Sequence, residues 1–151
     1  MTDKAIRFSA LSGDVIFSAP TPKPDRGQLA YWDTYWMKSS VAIVSVHGEI
    51  DSTNALALSE YSLAGLDRCR GLILDLTRLG FFGVEGFLTL HRISVSCARA
   101  EINWVLVTGA AVSIMLRVCD TDGLLPAADT IGAALASLED RRRMETTTSP
   151  T

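Results

Sequence analysis

The sequence predicts a single α/β domain: a mixed sheet of four to five strands with an antiparallel hairpin at its N-terminal side and about four helices. Three observations predict it. Two continuous apolar runs, Leu72-Ile73-Leu74-Asp75-Leu76 and Ile102 to Thr108, read as strands. Segments with a 3.6-residue apolar period follow them, and strands alternating with helices build a largely parallel sheet through crossover connections. Upstream, the aromatic-rich stretch Leu29 to Met37 and the β-branched run Val41 to His47 flank the short polar Lys38-Ser39-Ser40, the pattern of an antiparallel hairpin.

Composition bounds what such a domain can do. With 151 residues, 48% of them hydrophobic, the chain supports one well-buried core and is too short for two ordinary domains. The formal charge of −3 and a sequence pI of about 5.3 leave no broad basic field of the kind that drives phosphate-backbone binding, so no nucleic acid partner is expected. No apolar run approaches the roughly 20 residues of a membrane span. Met1-Thr2-Asp3-Lys4 leads into no signal-peptide core, so a cytoplasmic protein without a membrane partner is expected. Cys69, Cys97 and Cys119 are odd in number and stand singly, which suits neither a disulfide framework nor a zinc site; reduced, mostly buried thiols are expected.

In chain order, residues 1–27 read as an N-terminal arm. Weak alternation on either side of Ser12-Gly13-Asp14 suggests a short hairpin over residues 5–18, and three prolines between Pro20 and Pro24 make an extended linker. The domain proper spans residues 28–144. After the hairpin, Asp51 or Ser52 can cap a helix from about Asn54 to Arg68, with Leu56, Leu63 and Leu66 inward. A strand over Gly71 to Leu76 leads into an expected turn, Leu79-Gly80-Phe81-Phe82-Gly83, and then a helix over residues 84–100. That helix divides into a buried face (Gly86, Phe87, Leu90, Ile93, Ser94, Cys97), a polar face (Glu85, Thr89, Arg92, Ser96, Arg99) and an apolar flank, half covered (Val84, Leu88, His91, Val95). A short helix over residues 110–119, a break at Asp120-Thr121-Asp122-Gly123 and a short strand at Leu124-Leu125-Pro126 follow. Asp129 or Thr130 then caps a last helix with the stripe Ile131, Ala134, Leu135 and Leu138. Residues 145–151 read as a disordered tail.

Chemistry-bearing side chains are sparse. His47 and His91 have no Cys, Asp or Glu at metal-ligand spacing, so no metal or other cofactor is expected. Cys97 and His91 lie six apart on a helix and point to different sides, and no nucleophile–base pair marks an enzyme. Asp51, Asp75 and the pair Asp120/Asp122 read as loop and cap residues. Gly80, Gly83 and Gly86 lack the spacing and the lysine of a phosphate-binding loop. Tyr31 and Tyr35 fall on one side of their strand and Trp32 and Trp36 on the other; one side packs, and the other is covered by the arm or by a homodimer contact.

The run Val41-Ala42-Ile43-Val44-Ser45-Val46-His47-Gly48-Glu49-Ile50-Asp51 before the first helix, with Leu72-Ile73-Leu74-Asp75-Leu76 and Leu79-Gly80-Phe81-Phe82-Gly83-Val84-Glu85-Gly86 before the second, resembles a STAS domain. More narrowly, residues 29–140 resemble the stand-alone anti-sigma factor antagonists of bacteria, and the extended arm is similar to that of actinobacterial members. The resemblance implies a STAS-like fold and an anti-sigma factor as protein partner. In that family the corner reads Asp-Ser-Ser-Gly, and a cognate anti-sigma factor kinase phosphorylates the first serine. The unphosphorylated antagonist binds the kinase and frees a sigma factor; phosphorylation breaks the complex. Position by position, the Asp falls on Gly83, the phosphorylated Ser on Val84, the second Ser on Glu85 and the Gly on Gly86.

Three of the four positions depart, and Val84 has no oxygen nucleophile for phosphoryl transfer. Two readings stand. A neutral Val84 mimics the unphosphorylated state and binding is constitutive or controlled elsewhere; or Glu85 repels the family-type partner. Hydroxyls at Thr2, Ser52, Thr53 or Thr146 to Ser149 could carry relocated phosphorylation, although capping and the ordinary composition of tails account for them without it. The expected docking surface joins Asp51, Ser52, Thr53 and Asn54 with Phe82, Gly83, Val84, Glu85 and Gly86 and with Leu88, His91 and Val95. A rival reading makes the domain a sensor that holds a nucleotide or other small anion on the free N–H groups at the start of the residue 84–100 helix.

Overall fold

Strand order follows chain order. In the computed structural model, which describes residues 15–18, 28–37 and 40–148, six strands lie side by side: β1 (Val15–Ser18), β2 (Ala30–Met37), β3 (Val41–Ile50), β4 (Gly71–Phe82), β5 (Asn103–Val107) and β6 (Ala127–Ala128). β1, β2 and β3 are antiparallel; β3 to β6 are parallel. Four helices connect or follow them: α1 (Ala55–Leu63), α2 (Val84–Arg99), α3 (Ala110–Cys119) and α4 (Ile131–Thr148).

The expected mixed sheet, its N-terminal hairpin and the four helices are all present, with the short strands β1 and β6 at the two edges. Of the hairpin expected over residues 5–18, only Val15–Ser18 is described, and it pairs with β2. Residues 1–14 and the proline-rich segment 19–27 lie outside the described residues, as do Lys38, Ser39 and residues 149–151.

Alternation along the strands decides which helix covers which face. Ala42, Val44, Val46, Leu72, Leu74, Leu76, Trp104 and Leu106 project into one core with Leu58 of α1, Leu90 and Ile93 of α2 and Val112 of α3. Val41, Ile43, Ile73, Val105 and Val107 project to the other side, where Ala134 and Leu138 of α4 cover them. Right-handed crossovers between adjacent parallel strands place α1, α2 and α3 on the same side, leaving the other to α4.

Several element ends differ from the sequence reading, each for a physical reason. The first helix stops at Leu63, and a 3₁₀ turn over Leu66–Arg68 completes the connection. Its buried residues are Ala55, Leu58, Ser59 and Ser62, so Leu56 is exposed rather than inward, while Leu63 and Leu66 are partly buried. The last strand is Ala127–Ala128, one residue past Pro126, whose carbonyl accepts the Leu106 N–H at 2.8 Å. Thr130 caps α4 through its Oγ1, which accepts the Ala133 N–H at 3.0 Å. The helix runs beyond Met144, and Glu145 accepts a hydrogen bond from Asn103 Nδ2 at 3.1 Å.

The largest difference is at Leu79 to Phe82, read as a turn because of its glycine and found to be the end of a twelve-residue strand. These residues keep a ladder to β3 whose register shifts twice, between Ser45 and His47 and between Gly48 and Glu49. Gly48 stands at the second shift. It sits at φ +104°, where a Cβ would collide with the Leu29 carbonyl oxygen on the β2 side, while the residue inserted opposite is Gly80 of β4. β5 stops pairing at Asp75↔Val107 and β2 at Ala30↔Gly48, so Glu49–Ile50 of β3 and Phe81–Phe82 of β4 project past the rest of the sheet as a two-stranded ribbon.

Candidate functional site

The ribbon carries the expected corner at its tip. Ile50 and Phe82 are register partners, and the Gly83 N–H donates to the Ile50 carbonyl at 3.0 Å. The loop after β3 and the start of α2 therefore leave the sheet side by side. Thr89, expected on the polar face of α2, is instead buried and donates through Oγ1 to the Ala55 carbonyl at 3.1 Å, tying α2 to the first turn of α1.

Within the loop, Asp51 Oδ1 accepts the Thr53 N–H at 2.8 Å as well as the Thr53 hydroxyl. Those donors hold the Asp51 carboxyl below its usual range, the hydroxyl contributing most. Asn54 closes the other side: its Oδ1 accepts the Asp51 N–H at 3.0 Å and its Nδ2 donates to the Glu49 carbonyl at 2.9 Å. The four loop residues are thus a hydrogen-bonded unit that presents Ser52 and Thr53 to solvent.

At the corner, Gly83 takes the N-cap position without a side chain to cap with, and its carbonyl accepts from Gly86 N–H (3.0 Å) and Phe87 N–H (3.3 Å). Phe82, Gly83 and Gly86 are buried, so they shape the corner rather than face a partner. A Cβ on Gly86 would fall 2.6 Å from the Phe82 ring; the close approach of α2 to β4 depends on its absence. Val84 is the first helical residue and is 54% exposed. Glu85 Oε1 lies 3.3 Å from where a Cβ on Gly83 would stand, so the chain's own carboxylate lies beside Gly83.

Along α2 the expected apolar flank turns out to be the outermost line of the helix. At about 100° per residue, Val84, Leu88, His91 and Val95 fall within an arc of roughly 60°, directly opposite Gly86, Leu90, Ile93 and Cys97. Leu88 is 59% and Val95 50% exposed, and His91, also exposed, meets the Phe87 ring edge-on at 4.9 Å. Reading β4 only to Leu76 hid another member: Phe81 is 49% exposed, and its ring lies against Gly83. Leu56, 51% exposed at the start of α1, was missed because its spacing had been assigned inward.

Elsewhere the chemistry is structural. Asp75 is no loop residue: it is fully buried in mid-strand, accepting from Thr77 N–H (3.1 Å) and Thr77 Oγ1 (2.8 Å), in register with buried Ser45, itself in register with buried Asp33. Asp120 does serve its loop, accepting the Leu124 and Leu125 N–H groups at 3.0 and 3.1 Å. His47 stacks on Tyr31, with centroids 4.6 Å apart. Both sides of the aromatic strand pack, Trp32 against Tyr61 and Tyr35 into the core under α4. Burial pushes the Cys97 thiol up to about 12, with the nearby Cys69 adding to the effect, and burial also raises the Cys69 thiol; Cys119, expected with the buried ones, is exposed.

A cleft of about 1450 Å³ opens at the other end of the sheet, beneath the amino ends of β3 to β5; Asp67, Glu101, Glu139 and Glu145 outnumber Arg70 and Arg142 around it. Among the described residues no group of three or more His, Cys, Asp or Glu side chains could hold a metal ion, and no helix is long and apolar enough to cross a membrane.

Known proteins share the family and the fold of this chain. The STAS domain family model matches residues 37–134, more than half of the chain. Osmosensory protein A of Mycobacterium tuberculosis (strain ATCC 25618 / H37Rv) is 32% identical over 108 residues, which cover 67% of this chain and 68% of the relative. An anti-sigma factor antagonist from Mycobacterium paratuberculosis superposes with a TM-score of 0.58 at 24% identity, covering 80% of this chain and 93% of that one. The anti-sigma factor antagonist SpoIIAA in its unphosphorylated form does so with a TM-score of 0.58 at 14% identity, covering 75% and 96%. At these identities the two structures establish a common fold.

Proposed function

Because this chain belongs to the STAS domain family, we propose that it is an anti-sigma factor antagonist, a cytoplasmic, non-enzymatic protein that binds a kinase-type anti-sigma factor and so releases a sigma factor. The observation that carries this reading is the exposed apolar line of Val84, Leu88 and Val95 on α2, beside Phe81 at the corner. Four large apolar side chains held in water on one rigid ribbon and helix make a surface for another protein. The bound loop Asp51-Ser52-Thr53-Asn54 forms its second edge, and His91 continues it along the helix.

Control differs from the family pattern. Val84 offers no hydroxyl, so a kinase partner cannot dissociate the complex by phosphorylating that position. A neutral side chain there keeps the corner in the charge state of an unphosphorylated antagonist, whereas a phosphoserine would carry about −1.5 to −2. The sensor alternative has less support: an anion approaching the first N–H groups of α2 meets the negative charge of Glu85 in the same turn, and the large cleft lies at the opposite end of the sheet with an excess of carboxylates.

The test is titration of the purified protein with the anti-sigma factor kinases encoded in its own genome. A stable complex, unchanged by ATP, is expected for the wild type, with affinity reduced at least about tenfold by Leu88→Asp. Val84→Ser should make the complex ATP-sensitive. Binding that is indifferent to Leu88→Asp, or absent with every such kinase, overturns the proposal. Tighter binding by Glu85→Ser than by the wild type would instead favour a repelling role for Glu85.

A further inference from the structure

We propose that a second copy of this chain occupies the outer face of α2, forming a weak two-fold dimer in which the helices run antiparallel and hide the partner-docking line. The spacing of the exposed residues comes first. Val84, Leu88, His91 and Val95 are separated by four, three and four residues, the alternation that lets one helix seat its side chains between those of another. The line spans about 16 Å of helix axis at 1.5 Å per residue, enough for one helix–helix contact.

Charge selects the occupant. Glu85, Arg92 and Arg99 are exposed and all lie on the same side of the line, and among the described residues none of the three has a side-chain hydrogen bond or ion pair. The acid stands in the first turn and the two bases in the second half. An antiparallel two-fold pairing sets Glu85 of each copy beside Arg92 and Arg99 of the other and aligns the two helix dipoles favourably. A parallel two-fold pairing would carry the Glu85, Arg92 and Arg99 flanks of the two copies to opposite sides of the seam, where they could not meet. The face is therefore complementary to itself, as a closed two-fold contact requires. A single helix line buries less than the roughly 800 Å² per partner of a standard interface, so the dimer is readily exchanged for another partner.

The competition rests on the docking site proposed above; the dimer itself does not. Sedimentation of the full chain at rising concentration should show a reversible monomer–dimer equilibrium. Leu88→Asp should abolish it, Glu85→Arg should weaken it at least tenfold, and Glu85→Arg combined with Arg92→Glu and Arg99→Glu should restore it. A monomer at every concentration, a dimer that survives Leu88→Asp, or no rescue by charge exchange overturns the inference. Added anti-sigma factor should convert dimer into a complex holding one copy of this chain. An anti-sigma factor that binds the intact dimer overturns the competition alone, and one that binds a strictly monomeric chain overturns the dimer and leaves the docking proposal standing.

Discussion

α2 is apolar on two opposite sides, and the sides differ in what the apolar residues do. Leu90, Ile93 and Cys97 on the inner side are fully buried against β4 and its neighbours. Val84, Leu88 and Val95 on the outer side meet solvent in the isolated chain. Burying a side chain such as Leu or Ile stabilises a fold by about 1.5–3 kcal/mol. The inner residues realise that gain during folding, whereas the outer ones do not. One helix thus separates residues that hold the domain together from residues to which the proposed function assigns a partner.

Substitutions on the two sides should behave accordingly. Ile93→Ala opens a void in the main core and should destabilise the domain by about 2–5 kcal/mol, read as a lower urea midpoint. Gly86→Ala forces the Phe82 ring to move and should cost about 1–3 kcal/mol by the same measurement. Leu88→Ala, of similar size change to Ile93→Ala, should alter stability by no more than about 0.5 kcal/mol while weakening partner binding in a pull-down. Comparable destabilisation by Leu88→Ala would erase the distinction between the sides.

The inner side also predicts a pH response. The folded Cys97 pKa, about 12, stands above its ordinary value of 9.0. Its contribution is fully present below pH 9, where folded and unfolded chains both hold the proton. Above pH 9 the unfolded chain loses the proton first, so stability should fall with rising pH toward 12. Urea midpoints across that range should decline less steeply for Cys97→Val. At neutral pH Cys97 should resist a thiol-alkylating reagent in the native state, while exposed Cys119 reacts.

The sequence made most of the fold legible because its strands are continuous apolar runs and its helices keep one clear stripe. α2 and α3 were located to within a residue, since Gly83 and Gly109 mark their starts. Leu79 to Phe82 misled because Gly80 and Gly83 resemble turn punctuation, and only the double register shift against β3 keeps the segment in the sheet. Leu56 and Thr89 misled for a shared reason: α1 and α2 pack so closely that a threonine hydroxyl reaching a backbone carbonyl is favoured inside, while a leucine is left outside. The corner itself was readable from residue order, but its exposed extension through Phe81 was not, because a bulged strand breaks the two-residue alternation that would have announced it.

Chain-order pairing of the strands carries a kinetic consequence. Every neighbour in the sheet is also the next strand along the chain, so no pairing waits for a distant segment and each loop to be closed is short. Such a sheet can be assembled vectorially as the polypeptide leaves the ribosome, the hairpin first and each βα unit added to a finished edge. The ribbon and α2 are complete before β5 and β6 have been synthesised, so the corner at Gly83 is shaped before the sheet that supports it is closed.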